Sequence, residues 1–204
     1  MRIISGDFRS RTLEAPSGLA TRPTSDRLRE TLFNVLAPRI AGSAFLDLYA
    51  GSGAVGIEAL SRGAASVDFV ERAPAAIQVL RGNLTKLGIR EKFRIHSSKV
   101  GAYLRKLQAA SRPKENPEPG AGLDLVFLDP PYDAAAEYAA TLGLLGGALA
   151  GLLASGALVI AEHRRKETLA VRFGLLERTR LLEQGDAALS FYAVRSDSPE
   201  QSIL

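Results

Sequence analysis

From residue 44 onward the chain alternates short apolar runs with helix-length segments, and this rhythm narrows its fold more than any other feature. The runs are AFLDLYA (44–50), SVDFVE (66–71), FRIHS (93–97), LDLVFLD (123–129) and ALVIAE (157–162), with helical stretches near 53–62, 74–87, 99–109 and 135–153. Strands joined through helices run parallel, and a parallel sheet is covered on both faces, so its strands are apolar throughout. Two later strand candidates, about 170–182 and 188–195, flank Gly185-Asp186 and predict an antiparallel hairpin at the sheet edge. The expected class is α/β: a mostly parallel seven-stranded sheet with helices on both faces, in one domain of the size that 204 residues allow.

Residues 1–40 read as an extension ahead of that pattern. RIISGDFRSRTLE (2–14) predicts a β-hairpin turning at Ser5-Gly6-Asp7 and carrying Arg9 and Arg11. A loop with Pro16, Gly18 and Pro23 leads to a helix capped by Thr24 or Ser25, with Leu28, Leu32, Val35 and Leu36 as its apolar stripe and Pro38 at its end. Arg27, Arg29 and Glu30 fall off the stripe and are expected to face solvent or a ligand. The extension holds seven arginines against four acids. A guanidinium fork suits phosphates and base edges, while a plain solvated face carries the same charge pattern. The expected plan is an extension (1–40), a sheet domain (41–196) and a tail (197–204).

Composition removes several classes. The absence of cysteine rules out disulfides and thiolate metal sites, and only His96 and His163 offer imidazole, so no metal is expected. MRIISGDFRS lacks the apolar core of a secretory signal, which points to the cytoplasm. Tyr138 to Ala161 is uncharged and long enough to cross a bilayer. Ser155-Gly156, however, divides it into a Gly/Ala-rich helix and an LVIA strand, so no membrane partner is expected. The net charge of +4 permits a polyanionic partner.

The first run leads into LDLYAGSGAVGIEAL, where Gly51, Gly53 and Gly56 form GxGxxG between a strand and a helix. Glycines there let the backbone approach a ligand at a helix N-terminus. Asp47, just before the loop, disfavours a pyrophosphate and suits a cationic ligand such as S-adenosylmethionine. Glu71 ends the second strand, where a carboxylate can accept ribose hydroxyls.

FLDPPYD (127–133) ends the fourth strand with Asp129 at the crevice where such sheets bind ligands. Pro130 and Pro131 cannot donate, which leaves nearby carbonyls free to accept, and Tyr132 is held beside them. An acid, a fixed carbonyl and an aromatic ring form a receptor for a planar group bearing an NH2. Acceptors at Asp129 and the Pro130 carbonyl favour the pyramidal, positively charged amine that develops during methyl transfer.

Asp129-Pro130-Pro131-Tyr132 resembles the (D/N)PP(Y/F) motif of class I, S-adenosylmethionine-dependent amino methyltransferases, a motif common to adenine N6, guanine N2 and glutamine N5 targets. RIISGDFRSRTLEAP, TRPTSDRLRETLFNVL and LDLYAGSGAVGIEALSRGA resemble the RsmD family of 16S ribosomal RNA guanine-N2 methyltransferases. The likeness runs from Arg2 to about Tyr132 and more loosely to Arg195.

It implies a Rossmann-like class I methyltransferase fold, S-adenosylmethionine as cofactor, and methylation of guanine 966 of 16S rRNA in the small ribosomal subunit. Carried over, Asp47, Gly51, Gly53 and Glu71 belong to the cofactor site, and Asp129, Pro130, Pro131 and Tyr132 form the catalytic motif. Ser97 is assigned to the adenine, and Arg9, Arg11, Arg22, Arg27 and Arg29 to the RNA, with Pro23, Thr24 and Asp26 bordering the pocket. The chain departs from the family at Ser10, where glycine is usual, at Arg72-Ala73 after Glu71, and at HSSKV after the third strand. His96 reads as a strand-end residue and His163 as part of a basic surface. Two other readings stay open: an adenine-N6 DNA methyltransferase, and a non-catalytic nicotinamide-nucleotide or RNA-binding module.

Overall fold

The computed structural model describes residues 1–15, 25–110, 122–131 and 135–195. Its helices are α1 (Asp26–Ile40), α2 (Ala54–Ser61), α3 (Pro74–Leu87), α4 (Val100–Ala110) and α5 (Ala135–Gly146). Its strands are β1 (Ala44–Leu48), β2 (Ser66–Glu71), β3 (Phe93–Ser97), β4 (Leu123–Leu128), β5 (Leu153–Arg164), β6 (Arg172–Phe173), β7 (Leu176–Gln184) and β8 (Ala187–Val194). They form one sheet in the order β3-β2-β1-β4-β5-β8-β7-β6. The first five strands pair in parallel, and β8 enters antiparallel between β5 and β7. The seven expected strands are present, joined by a two-residue eighth, β6, at the edge.

Alternation within each strand sorts the core into two layers. Phe45, Leu125, Phe127, Ile160 and Phe191 pack with the apolar faces of α1, α2 and α3. Leu46, Leu48, Val126, Leu128 and Val159 pack with α4 and α5. Ser25 caps α1, its hydroxyl accepting from the Leu28 N–H at 3.1 Å. Pro38 does not end α1 as expected but sits in its last turn, where it removes only one donor and the helix continues to Ile40. Ser155 and Gly156 lie inside β5, with Gly156 at φ +76° near a register shift against β4, so the strand starts earlier than the apolar run implied. Among the described residues no helix is long and apolar enough to cross a membrane.

The N-terminal hairpin is reduced to one bridge, Arg2 with Thr12, around a turn that seats on α2. Ser61 fixes that turn: its carbonyl accepts from the Asp7 N–H at 2.8 Å and its hydroxyl from the Phe8 N–H at 3.0 Å. A Cβ on Gly6 would stand 1.8 Å from the Ser61 carbonyl oxygen, so only glycine fits. Below the turn Glu58, fully buried, accepts from the N–H groups of Ile4 (2.8 Å) and Ser5 (3.0 Å) and from Arg62 Nε (2.8 Å).

Arg29 overturns the expectation that it faces solvent or RNA. Its side chain is 0% exposed, donates to Asp26 at 3.0 Å and to the Arg2 carbonyl, and pairs with Glu58 at 3.8 Å. A guanidinium is tolerated there because carboxylates and a carbonyl surround it.

Candidate active site

The carboxyl ends of the parallel strands form one rim, and β1 and β4 are the central pair from which the chain winds outward in both directions. Ligands of such sheets bind at that switch point. Tyr49 turns the chain after β1 at φ +63°, a left-handed conformation that an aromatic residue adopts only when its surroundings enforce it. Its hydroxyl, which donates to Glu137 at 2.7 Å and lies 3.1 Å from the Thr141 hydroxyl on α5, supplies that constraint. Burial pushes the phenol well above its ordinary pKa.

The glycines that follow have different duties. Gly51 (φ +56°) has no atom closer than 4.0 Å to a would-be Cβ, so this side of the loop is open for a close approach. Gly53 (φ +81°) caps α2 without a side chain, and a Cβ there would meet Leu80 at 2.2 Å. A Cβ on Gly56 would strike the Phe69 ring at 2.2 Å, so this glycine sets helix-to-sheet packing.

Asp47 takes over the missing cap. Its Oδ2 accepts from the Gly56 N–H at 2.9 Å, satisfying one of the donors that the first turn of a helix leaves open. The carboxyl is 2% exposed, so it lies beneath the loop and does not point openly into the cleft as the sequence suggested. Burial raises its pKa to about 7, against the pull of the Gly56 bond and with a smaller push from Glu71.

Glu71 ties β2 to the same loop: Oε2 accepts from Gly51 N–H at 2.9 Å, and Oε1 from the N–H groups of Arg72 (2.7 Å) and Ala73 (2.8 Å). Oε2 thus keeps one lone pair for a ligand hydroxyl. Ser97, exposed at the end of β3, is the register partner of Glu71.

Asp129 follows β4 on the same rim. Burial, then the charges of Glu162 and Asp47, hold its carboxyl well above the usual range. Pro130 is buried and Pro131 exposed. The rim therefore brings Asp47, Gly51, Gly53, Glu71, Ser97, Asp129, Pro130 and Pro131 to the carboxyl ends of neighbouring parallel strands and the loops that follow them. Tyr132, Arg22, Pro23 and Thr24 lie outside the described residues. Arg9, Arg11 and Arg27 are exposed, but the turn carrying Arg9 seats at the far end of α2, one eight-residue helix away from the glycine loop.

Sequence reasoning missed Tyr49 and Glu162. Glu162 ends the apolar run LVIAE much as Asp129 ends LVFLD, a parallel that was available as a signal. Both histidines are engaged by neighbouring groups of the fold. His96 contacts Asp68 at 2.6 Å, and its ring lies 4.6 Å from that of Tyr103, tilted by 44°. His163 is buried and does not join a basic surface. Its Nδ1–H donates to the Arg164 carbonyl and its Nε2 accepts from Ser190, each at 2.9 Å, and burial lowers its pKa. Among the described residues no group of three or more His, Asp or Glu side chains is arranged to hold a metal ion.

A family profile described as Conserved hypothetical protein 95 matches residues 1–193. YlbH of Bacillus subtilis (strain 168) is 36% identical over 195 residues, 96% of this chain and 100% of that protein. Ribosomal RNA small subunit methyltransferase D of Escherichia coli (strain K12) is 40% identical over 132 residues, 65% of this chain and 60% of its own length. The solved structure of yhhF from Escherichia coli has a TM-score of 0.76 and 34% identity, covering 94% of this chain and 96% of that one. With its glycine loop and Asp-Pro-Pro end on the β1–β4 seam of a shared architecture, the chain belongs to the RsmD family of class I methyltransferases.

Proposed function

We propose that the protein transfers a methyl group from S-adenosylmethionine to the exocyclic N2 of a guanine in 16S rRNA of the small ribosomal subunit, at position 966. The observation that carries this reading is the position of Asp129-Pro130-Pro131, beside the loop held by Asp47 and Glu71 at the seam of β1 and β4. The name of the E. coli relative, a ribosomal RNA small subunit methyltransferase, supports the RNA class.

The cofactor fits the residues present: Gly51 leaves an open approach and Glu71 Oε2 retains an acceptor. When bound, S-adenosylmethionine supplies an electrophilic methyl on a sulfonium. Glu71 would bind its ribose and Ser97 would border its adenine. Asp129 and the Pro130 carbonyl accept the two amine hydrogens of the target. This holds the amine pyramidal, frees its lone pair from the ring and stabilises the positive charge that grows on it. Tyr132 stacks on the extruded base, and Arg9, Arg11, Arg22 and Arg27 hold RNA phosphates.

The test is methyl incorporation from labelled S-adenosylmethionine into small subunits from cells lacking the protein, followed by mapping of the labelled nucleotide. A single N2-methylguanine at position 966 is the expected result. Label on adenine, on DNA or nowhere would sink the proposal.

A further inference from the structure

An Asp-Pro-Pro end explains how an amine is gripped, but not which base carries it. A cavity of about 480 Å3 opens between the start of α1, at Ser25 and Leu28, and the ends of β5 and β8, with Glu162 in its wall. That volume lies within the range of small-ligand sites. In the parallel register Leu128 pairs with Ala161, so the next residues, Asp129 and Glu162, stand abreast. Glu162 also pairs with Leu189 of β8, whose side chain belongs to the core layer under α1, so the carboxylate projects to the α1 side. From the opposite layer the Tyr138 hydroxyl donates to the Glu162 carbonyl at 2.7 Å and fixes the backbone there. Glu162 is 6% exposed, and its charge is felt at Asp129. Exposed Arg165 and Lys166 stand at the cavity mouth, where phosphates flanking an extruded nucleotide need cations.

We propose that the target base lies between this cavity and Asp129, which adjoins the cavity through Glu162 without lining it, and that Glu162 reads the base edge, accepting the N1–H of guanine while Asp129 and the Pro130 carbonyl hold the adjacent N2 amine. The inference rests on the guanine-N2 reading above. Guanine presents N1–H and N2–H donors side by side, and two neighbouring acceptors match them. Adenine presents an N1 lone pair beside its amine, which a carboxylate repels. The arrangement thus supplies the discrimination that Asp-Pro-Pro alone lacks.

The test compares small-subunit RNA carrying guanine or 2-aminopurine at the target position. 2-Aminopurine keeps the 2-amine but has an N1 lone pair in place of N1–H. Wild-type protein should prefer guanine. Glu162→Gln, whose amide can donate to that lone pair, should reduce the guanine to 2-aminopurine ratio of kcat/KM about tenfold or more, with cofactor affinity within about twofold of wild type. A ratio unchanged in a folded Glu162→Gln protein would overturn the assignment. If that variant does not fold, Ala187→Trp, which fills the cavity from its β8 wall, should lower methyl transfer about tenfold or more at unchanged cofactor affinity. Full activity in Ala187→Trp would equally overturn it. Failure of wild type to methylate guanine at all would instead remove the reading on which the inference rests.

Discussion

Burial and two neighbouring carboxylates push Asp129 toward its neutral form, while its proposed task is to accept hydrogens. Only the ionised group accepts with both oxygens, so methyl transfer should rise with pH until Asp129 is deprotonated. Asp129→Ala removes this acceptor and should lower single-turnover transfer about a hundredfold or more while flattening this pH dependence. Near-normal turnover in a folded, cofactor-binding variant would exclude the role.

Asp47 makes a stability prediction. Its pKa is about 7 in the folded protein against 3.8 for the free group, so folding gains from its proton at low pH. That gain is complete below the unfolded value and lost as pH rises through about 7. Asp47→Asn keeps an acceptor for the Gly56 N–H without the charge. Denaturant unfolding should show the variant gaining on wild type by more than about 1 kcal/mol between acid and alkaline conditions. Ser10 holds φ +66°, in the left-handed region that favours glycine. Ser10→Gly should therefore raise stability by about 0.5–1 kcal/mol, the relief of a left-handed side chain less the extra entropy of an unfolded glycine.

At the scale of elements, α2 joins two functions, its first turn closing the glycine loop and its last residue anchoring the N-terminal turn. Glu58, between them, accepts from two backbone donors and from Arg62 and forms an ion pair with Arg29 at 3.8 Å. Glu58→Ala leaves buried Arg29 with Asp26 as its remaining carboxylate and takes the acceptor from the Ile4 and Ser5 N–H groups, and should cost about 3–5 kcal/mol in thermal or denaturant unfolding. Glu58→Leu combined with Arg29→Met should recover much of that loss, and failure to recover would mean that the backbone donors dominate. The same turn carries Arg9, and its exit strand Arg11. Replacing both with Ala should weaken RNA binding and reduce its salt slope by about one for each phosphate no longer neutralised, with cofactor affinity unchanged. An unaltered slope would remove the turn from the RNA interface.

For the whole molecule, the order of strands and helices was legible because parallel strands must be apolar on both faces, and their spacing left little room for another assignment. The rim was legible where a motif crosses from strand to loop, at Asp47, Gly51, Glu71 and Asp129. Arg29 was not, because a charge off the apolar stripe reads as exposed unless its partner is known, and Glu58 lies in another helix. Asp47 was half legible: its place was clear, but its use as a remote helix cap depends on Gly56 curling back over it. Glu162 gains meaning only from its register with Asp129, and strand pairing is a tertiary fact.

That pairing has a consequence in time. The strands β7 and β8 meet through a two-residue turn, whereas Ala44, at the start of β1, and Asp124, on β4, are 80 residues apart when they hydrogen-bond. Local hairpins close quickly and distant parallel seams late, because chain entropy must be given up before long-range pairing repays it. In pulse-labelled hydrogen exchange during refolding, amides of β7 and β8 should gain protection before those of β1 and β4. The β1–β4 seam would then be the last part of the sheet to exist, and a nascent chain would be unable to take up cofactor there until its fold is nearly complete.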